Sequence, residues 1–190
     1  MTIDIEYFPL IGDSPVIHNF MRTLLLSVSN EFVPPLTDRS VSYEKNFLER
    51  EDPVEGFEMY MMQKMSESCL VASIDGTKAG LMTFKRHFGA DWITEWCPCN
   101  YIVTVGVFPK FRRHGLTKLM YDQIGQIDVA VQPEFDVVRT WSTNDAHIAL
   151  LVSIGFAEVQ RLKDHRGDGI DTVYFSRVNT TELVRTPPGT

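Results

Sequence analysis

The sequence predicts an α/β fold built on a mixed sheet, largely antiparallel, with one crossover and with helices between its hairpins. Three observations carry the prediction. Apolar side chains alternate with a period of two in stretches closed by tight turns, near the middle and at the end of the chain. Helical spacing marks amphipathic segments between them. A strand, a helix and a strand then follow one another through "YIVTVGV", "GLTKLMYDQI" and "FDVVRTWS", the order of a crossover. With 190 residues, 44% of them hydrophobic, the chain can bury one substantial core, so a single domain is expected over 1–177 with a frayed tail over 178–190.

The elements follow in order. "IDIEYF" reads as an opening strand. In "GDSPVIHNFMRTLLLSVSN", Asp13 or Ser14 can cap a helix, and Pro15 suits its first turn. Ile17, Phe20, Met21, Leu24, Leu25 and Val28 then repeat at helical spacing. "EFVPPLTDR" breaks this helix, and two more helical pieces are expected over 42–50 and 54–65. Met59, Met61, Met62 and Met65 on the second read as adaptable packing, with a channel lining as the alternative. "SCLVASIDGTKAGLMTFKRHF" reads as a hairpin turning at Asp75 and Gly76, the strongest short turn signal in the chain. After the crossover come a short helix over 144–154 and a last hairpin over 158–177, turning at "HRGDG".

Composition narrows the function. A net charge of -7 argues against a nucleic-acid partner, because such binding relies on neutralising phosphates. No apolar run approaches bilayer length and "MTIDIEYFPL" lacks the layout of a signal peptide, so no membrane partner and a cytoplasmic location are expected. Cys69, Cys97 and Cys99 read as buried or incidental thiols, and no metal is expected, since "CPC" has no second pair at ligand spacing.

One stretch stands against the acidic background. "VFPKFRRHGLTK" gathers Lys110, Arg112, Arg113 and Lys118 at a strand-to-helix turn. The first amides of a helix lack internal partners and carry the positive end of its dipole, so such a turn attracts anions. Gly115 leaves the backbone open to close approach. A phosphate or pyrophosphate pocket is one reading, and a solvated cationic helix start is the other. Neither G-x-x-x-x-G-K-[ST] nor G-x-G-x-x-G occurs, which makes ATP and NAD poor candidates.

"V-F-P-K-F-R-R-H-G-L-T" resembles the signature of the GNAT superfamily, the acyl-CoA-dependent N-acetyltransferases, with Arg112, Gly115 and Thr117 at its key positions. "NDAHIALLVSIGF" resembles the family's second segment through Asn144, Leu150, Gly155 and Phe156. The resemblance is clear from about residue 68 to 177 and implies a GNAT-like acyltransferase fold. It implies that the backbone amides of Arg113, His114, Gly115, Leu116, Thr117 and Lys118 hold the pyrophosphate of acetyl-CoA, with Arg112 closing over it. It further implies that Val105 and Val107 hold the pantetheine arm through their backbone, with Asn144 among the cofactor contacts. Gly106 then reads as a bulge that parts this strand from "DVVRTWS", or merely as a weak point in the strand.

The departures bear on catalysis. Thr117 replaces the usual Gly or Ala, and His147 replaces a small residue and reads as a packed histidine. Leu151 stands where many members carry the tyrosine that protonates the departing thiolate. Expelling a thiolate from a thiol of ordinary pKa at pH 7 costs about 2 kcal/mol, whereas deprotonating an alkylamine costs about 4.6 kcal/mol. A base therefore matters more than an acid, and Glu95 beside Trp96 is the expected base, ahead of Asp91 beside Trp92, with Ser142 as a donor. The alternative is that both tryptophans pack and both acids face solvent. The expected activity is acetyl transfer from acetyl-CoA to a primary amine, on a small molecule or a peptide, by direct attack in a ternary complex. The alternative is a noncatalytic acyl-CoA-binding or regulatory module. The acidic balance points toward a cationic amine, and the resemblance leaves a homodimer open.

Overall fold

The computed structural model describes residues 1–37, 53–90, 95–128 and 130–179. The helix expected over 42–50, together with Asp91 and Trp92, lies outside them. Among the described residues, seven strands form one sheet: β1 (Ile3–Phe8), β2 (Ser68–Ile74), β3 (Thr77–Phe88), β4 (Cys99–Val107), β5 (Phe135–Trp141), β6 (Ala157–Leu162) and β7 (Thr172–Val178). They lie side by side in the order β1-β2-β3-β4-β5-β7-β6. Asp75 and Gly76 both take positive φ, 47° and 76°, as a two-residue hairpin turn requires, and so join β2 to β3.

Among the described residues, four α-helices cover the sheet: α1 (Pro15–Ser27), α2 (Pro53–Lys64), α3 (Leu116–Ile124) and α4 (Asp145–Ser153). Ser14 caps α1 by accepting from the Ile17 amide, and Pro15 occupies its first turn. Two core layers result. Leu116, Met120, Tyr121 and Ile124 of α3 and Leu151 of α4 pack with Ile102 and Val138. On the other face, Ile17, Met21, Leu24 and Leu25 of α1 and Phe57 and Met61 of α2 pack with Val71 and Leu81. Among the described residues no helix is long and apolar enough to cross a membrane.

All neighbouring strands are antiparallel except β4 and β5, the expected crossover, which runs through α3. Their pairing is short, from Cys99 opposite Phe135 to Ile102 opposite Val138. Beyond it β4 stays with β3 as far as Val107, and β5 stays with β7 as far as Trp141. The two strands therefore fork. The extra residue that bends β4 is Val103, because Thr83 pairs with Thr104 whereas Phe84 pairs with Ile102.

The bulge thus lies at Val103, a correction to its expected place at Gly106. Gly106 pairs regularly with Leu81, and a Cβ there would meet Leu24 and Leu25 carbons at 3.6–3.8 Å, an ordinary contact. One inserted residue also exchanges the faces. Tyr101 before the bulge and Thr104 after it both look toward α1 and α2, while Ile102, Val105 and Val107 join the α3 side.

A buried polar network holds the closed end of the fork. Asp136 of β5 is fully buried opposite Asn100 of β4, whose amide donates to Asp136 Oδ1 at 2.9 Å. Arg177 of β7 donates to Asp136 Oδ2 through Nε and a terminal nitrogen, each at 3.0 Å, and reaches on to the Tyr121 carbonyl of α3. Asn179 adds a bond to Asp136 Oδ1 at 2.8 Å, and its own amide donates to the Glu134 carbonyl at 2.7 Å. β7 thus runs to Val178, and Asn179 is bonded to the sheet beyond it.

Replacing Asp136 with Ala strands a poorly solvated guanidinium and several donors, so a loss of about 3–5 kcal/mol is expected in urea unfolding. A loss under about 1 kcal/mol would show that the network does not hold the fork shut.

Candidate active site

Where β4 and β5 part, a cavity of about 720 Å³ opens, lined on one edge by β4 from Tyr101 to Val107 and on the other by β5 from Val138 to Trp141. Backbone groups on the β5 side of β4 have no strand to pair with beyond Ile102. The Val107 carbonyl is the exception, since it accepts from Arg112 Nε at 3.2 Å. Val105 and Val107 therefore lie where the sequence put them, along the open edge.

At the outer end of this edge the chain turns into α3. Arg113 and Gly115 both take left-handed backbone conformations, φ 64° and 73°. The Gly115 carbonyl accepts the first helical bond, from Leu119 at 3.0 Å. Among the described residues, none of the amides of Arg113, His114, Gly115, Leu116, Thr117 and Lys118 donates to a carbonyl, and no side chain caps the helix. Alternating conformations of this kind form a concave nest of N–H groups suited to an anion. A Cβ on Gly115 would meet nothing within 4 Å, so the approach to the nest is open.

The cationic side chains around the nest are less free. Arg112 reaches both oxygens of Glu31 at 2.8 Å, and Lys118 pairs with Asp122 one turn along α3. Arg112 and Thr117 line the cavity together with Asn144. Asn144 caps α4, accepting from the His147 amide at 3.4 Å and donating to Thr140 Oγ1 at 3.2 Å.

The opposite half of the cavity, on the α1 and α2 face, holds groups that pattern reading passed over. Lys64, in the last turn of α2, is 2% exposed and donates to Glu67 Oε1 at 2.9 Å, with its ammonium 4.5 Å from the Tyr60 ring centre. Glu67 is equally buried, and its Oε2 has no hydrogen-bond partner. The Tyr60 hydroxyl shares a short hydrogen bond with Thr104 of β4. Arg139 of β5, Lys85 of β3, and His165 and Arg166 from the loop before β7 complete this half. The i,i+3 spacing of Lys64 and Glu67 was the available signal, but alone it describes an ordinary surface pair.

The two expected proton-transfer residues do not converge here. Glu95 is exposed and lies outside the cavity lining. Ser142 also lies outside it, and its Oγ accepts the Asp171 amide at 2.9 Å. Leu151 is fully buried in the α3-side core, which leaves no proton donor at that position. Met59 lines the cavity, whereas Met61 packs in the core and Met62 faces solvent. Burial pushes the Cys69 and Cys99 thiols up to about 12, so neither is a nucleophile at neutral pH. Among the described residues no cluster of His, Cys, Asp and Glu could hold a metal ion.

His147 ties three elements together, its Nε2 meeting the Tyr121 hydroxyl at 3.0 Å and its Nδ1 the Thr140 hydroxyl at 3.4 Å. Burial lowers its pKa to about 4, so it is neutral at physiological pH. The unfolded chain takes up that proton near pH 6.5 and the folded chain only near 4, so stability is full above 6.5 and falls as the pH drops between the two. About 3 kcal/mol is the expected loss across this window, read from urea midpoints, and His147→Gln should flatten that part of the profile. A profile unchanged by the substitution would show that His147 does not cause the loss.

No protein-family model matches the chain, and no curated protein matches it in sequence. Solved structures do match. A candidate GNAT-family acetyltransferase from Desulfovibrio desulfuricans superposes with a TM-score of 0.63 over 94% of this chain and 99% of its own, at 12% identity. A candidate acetyltransferase from Salmonella typhimurium, solved with its cofactor acetyl-CoA, gives 0.56 over 96% and 97%, at 13% identity. The ribosomal-protein-S18-alanine N-acetyltransferase of Escherichia coli gives 0.57 over 98% and 100%, at 12% identity. With its forked parallel pair and this agreement over nearly whole chains, the protein has the fold of the GNAT acetyltransferases.

Proposed function

We propose that the protein is an acetyl-CoA-dependent N-acetyltransferase acting on a primary amine in a ternary complex. The observation that carries this reading is the nest of unpartnered amides at the start of α3, opening onto the same cavity as the parted edge of β4. The nest fits a diphosphate, and the open edge fits an amide-bearing arm that pairs as a short strand would. Structural relatives solved with acetyl-CoA support the choice of ligand.

Bound there, acetyl-CoA supplies an acyl group activated as a thioester. The chain's own contribution is position and polarity. Amides 113–118 hold the diphosphate, and β4 aligns the arm and offers backbone N–H donors to the thioester carbonyl. The amine enters from the α1 and α2 face, where the cavity continues. The continuation of the cavity onto this face favours catalysis over a module that only binds the acyl carrier. For the amine proton we assign Glu67, the lining carboxylate with an unpartnered oxygen, acting through water.

Acetyl-CoA at a hundred times its dissociation constant is expected to add about 2.7 kcal/mol of stability in thermal melting. Gly115→Glu should abolish that shift, because it puts a negative side chain at a left-handed position in the mouth of the nest. A shift retained in the variant would place the diphosphate elsewhere.

With an accepted amine, Glu67→Gln is expected to lower kcat about 100-fold and Glu95→Gln to leave it unchanged. The reverse pattern would restore the surface carboxylate as the base.

A further inference from the structure

Among the described residues, the acceptor half of the cavity carries more cations than acids, against the acidic balance of the whole chain. Among the described lining acids, Glu67 is balanced by Lys64 through Oε1, which leaves Oε2 open, and Glu31 pairs with Arg112 toward the nest. Lys85 and Arg139 have no carboxylate partner among the described residues.

Arg139 occupies a particular place. It is the first residue of β5 beyond the last parallel pair, Ile102 with Val138, so it stands in the crotch of the fork. Its register partner on β7 is Tyr174, which it also meets through a side-chain hydrogen bond, and Tyr101 and Tyr60 are its other electrostatic neighbours. Burial raises the Tyr101 phenol well above its ordinary range, so that ring stays neutral and cannot balance the guanidinium. Arginine does not shed its proton, so the charge persists although it is partly buried. The surrounding field is visible at His165, held below its usual pKa by burial and then by the charges of Arg166 and Arg139.

We propose that the acceptor is an amine carrying its own carboxylate, an α-amino acid or a close amino-carboxylate analogue, and that Arg139 binds this carboxylate. The inference rests on the acetyltransferase reading above and names the substrate class of that site. A guanidinium presents parallel N–H donors that match a carboxylate in two-point geometry, and Lys85 adds a second positive charge on the same face. Arg139 lies where the fork begins, beside the unpaired edge of β4, so an anion it holds sits close to the strand along which the acetyl-bearing arm is proposed to lie. An α-amino acid meets that constraint. A polyamine would bring like charges to Arg139 and Lys85 and leave both without a counter-ion. On this proposal the net charge of -7 does not select the acceptor, because it sums over the whole chain and not over this cavity.

The experiment measures thiol release from acetyl-CoA with the L-amino acids, each paired with its C-terminal amide, and with spermidine. At least one free amino acid is expected to exceed its amide about 100-fold in kcat/KM, the scale of removing one partner from a desolvated charge pair. Arg139→Gln should remove that preference by raising KM for the acid alone, and Arg139→Lys should keep part of it. The acid-to-amide comparison needs no variant, so a misfolded substitution does not decide the outcome. Amides or spermidine turned over as well as the acids would overturn the proposal. So would acetyl-CoA binding with no turnover of any amino acid and no amino acid raising the melting temperature of the complex. Failure of acetyl-CoA itself to bind would instead remove the acetyltransferase reading on which the proposal stands.

Discussion

The structure depends on two strands that are held together at one end and kept apart at the other. Asp136, buried beside Asn100 and clamped by Arg177 and Asn179, fixes β4 and β5 as a parallel pair over Cys99 to Ile102. Val103 then inserts one residue and bends β4 toward β3. Without the polar clamp a four-residue parallel contact would hold the sheet's two halves weakly. Without the bulge, β5 would continue along β4 and no cavity would form. The site is thus a consequence of strand pairing before any side chain is counted.

The bulge also decides what faces the cavity. By reversing alternation, it sends Thr104 to the α1 and α2 face, where it meets Tyr60, and leaves Val105 and Val107 packed toward α3. Register across the sheet then assembles the half of the cavity on the α1 and α2 face, Lys85 opposite Tyr101 and Arg139 opposite Tyr174. The nest of amides at the start of α3 draws on none of these charges. Its attraction for an anion comes from backbone N–H groups and the helix dipole, while Arg112 and Lys118 are already engaged with Glu31 and Asp122.

Local signals were readable in the sequence wherever one residue type has one physical use. Ser14 and Pro15 begin a helix, Asp75 and Gly76 turn a hairpin, and Gly115 opens the start of α3, each as expected. The bulge at Val103 is not legible in the sequence, because a β-branched residue gives no local sign of being unpaired, whereas glycine invites the assignment. Glu95 drew attention through its tryptophan neighbour, yet it is exposed, and nothing in the spacing of Lys64 and Glu67 showed that both would be buried. Arg139 reads as one polar residue in an apolar strand. Its meaning appears only when β5 parts from β4, a long-range event that composition and periodicity cannot register.

The most direct test of this account is a crystal structure of the protein with coenzyme A. The expected result places the diphosphate on amides 113–118 and the pantetheine arm against β4 between Val103 and Val107, with β4 and β5 still parted beyond Ile102. A diphosphate bound away from α3, or a fork closed by pairing of β4 with β5, would contradict it.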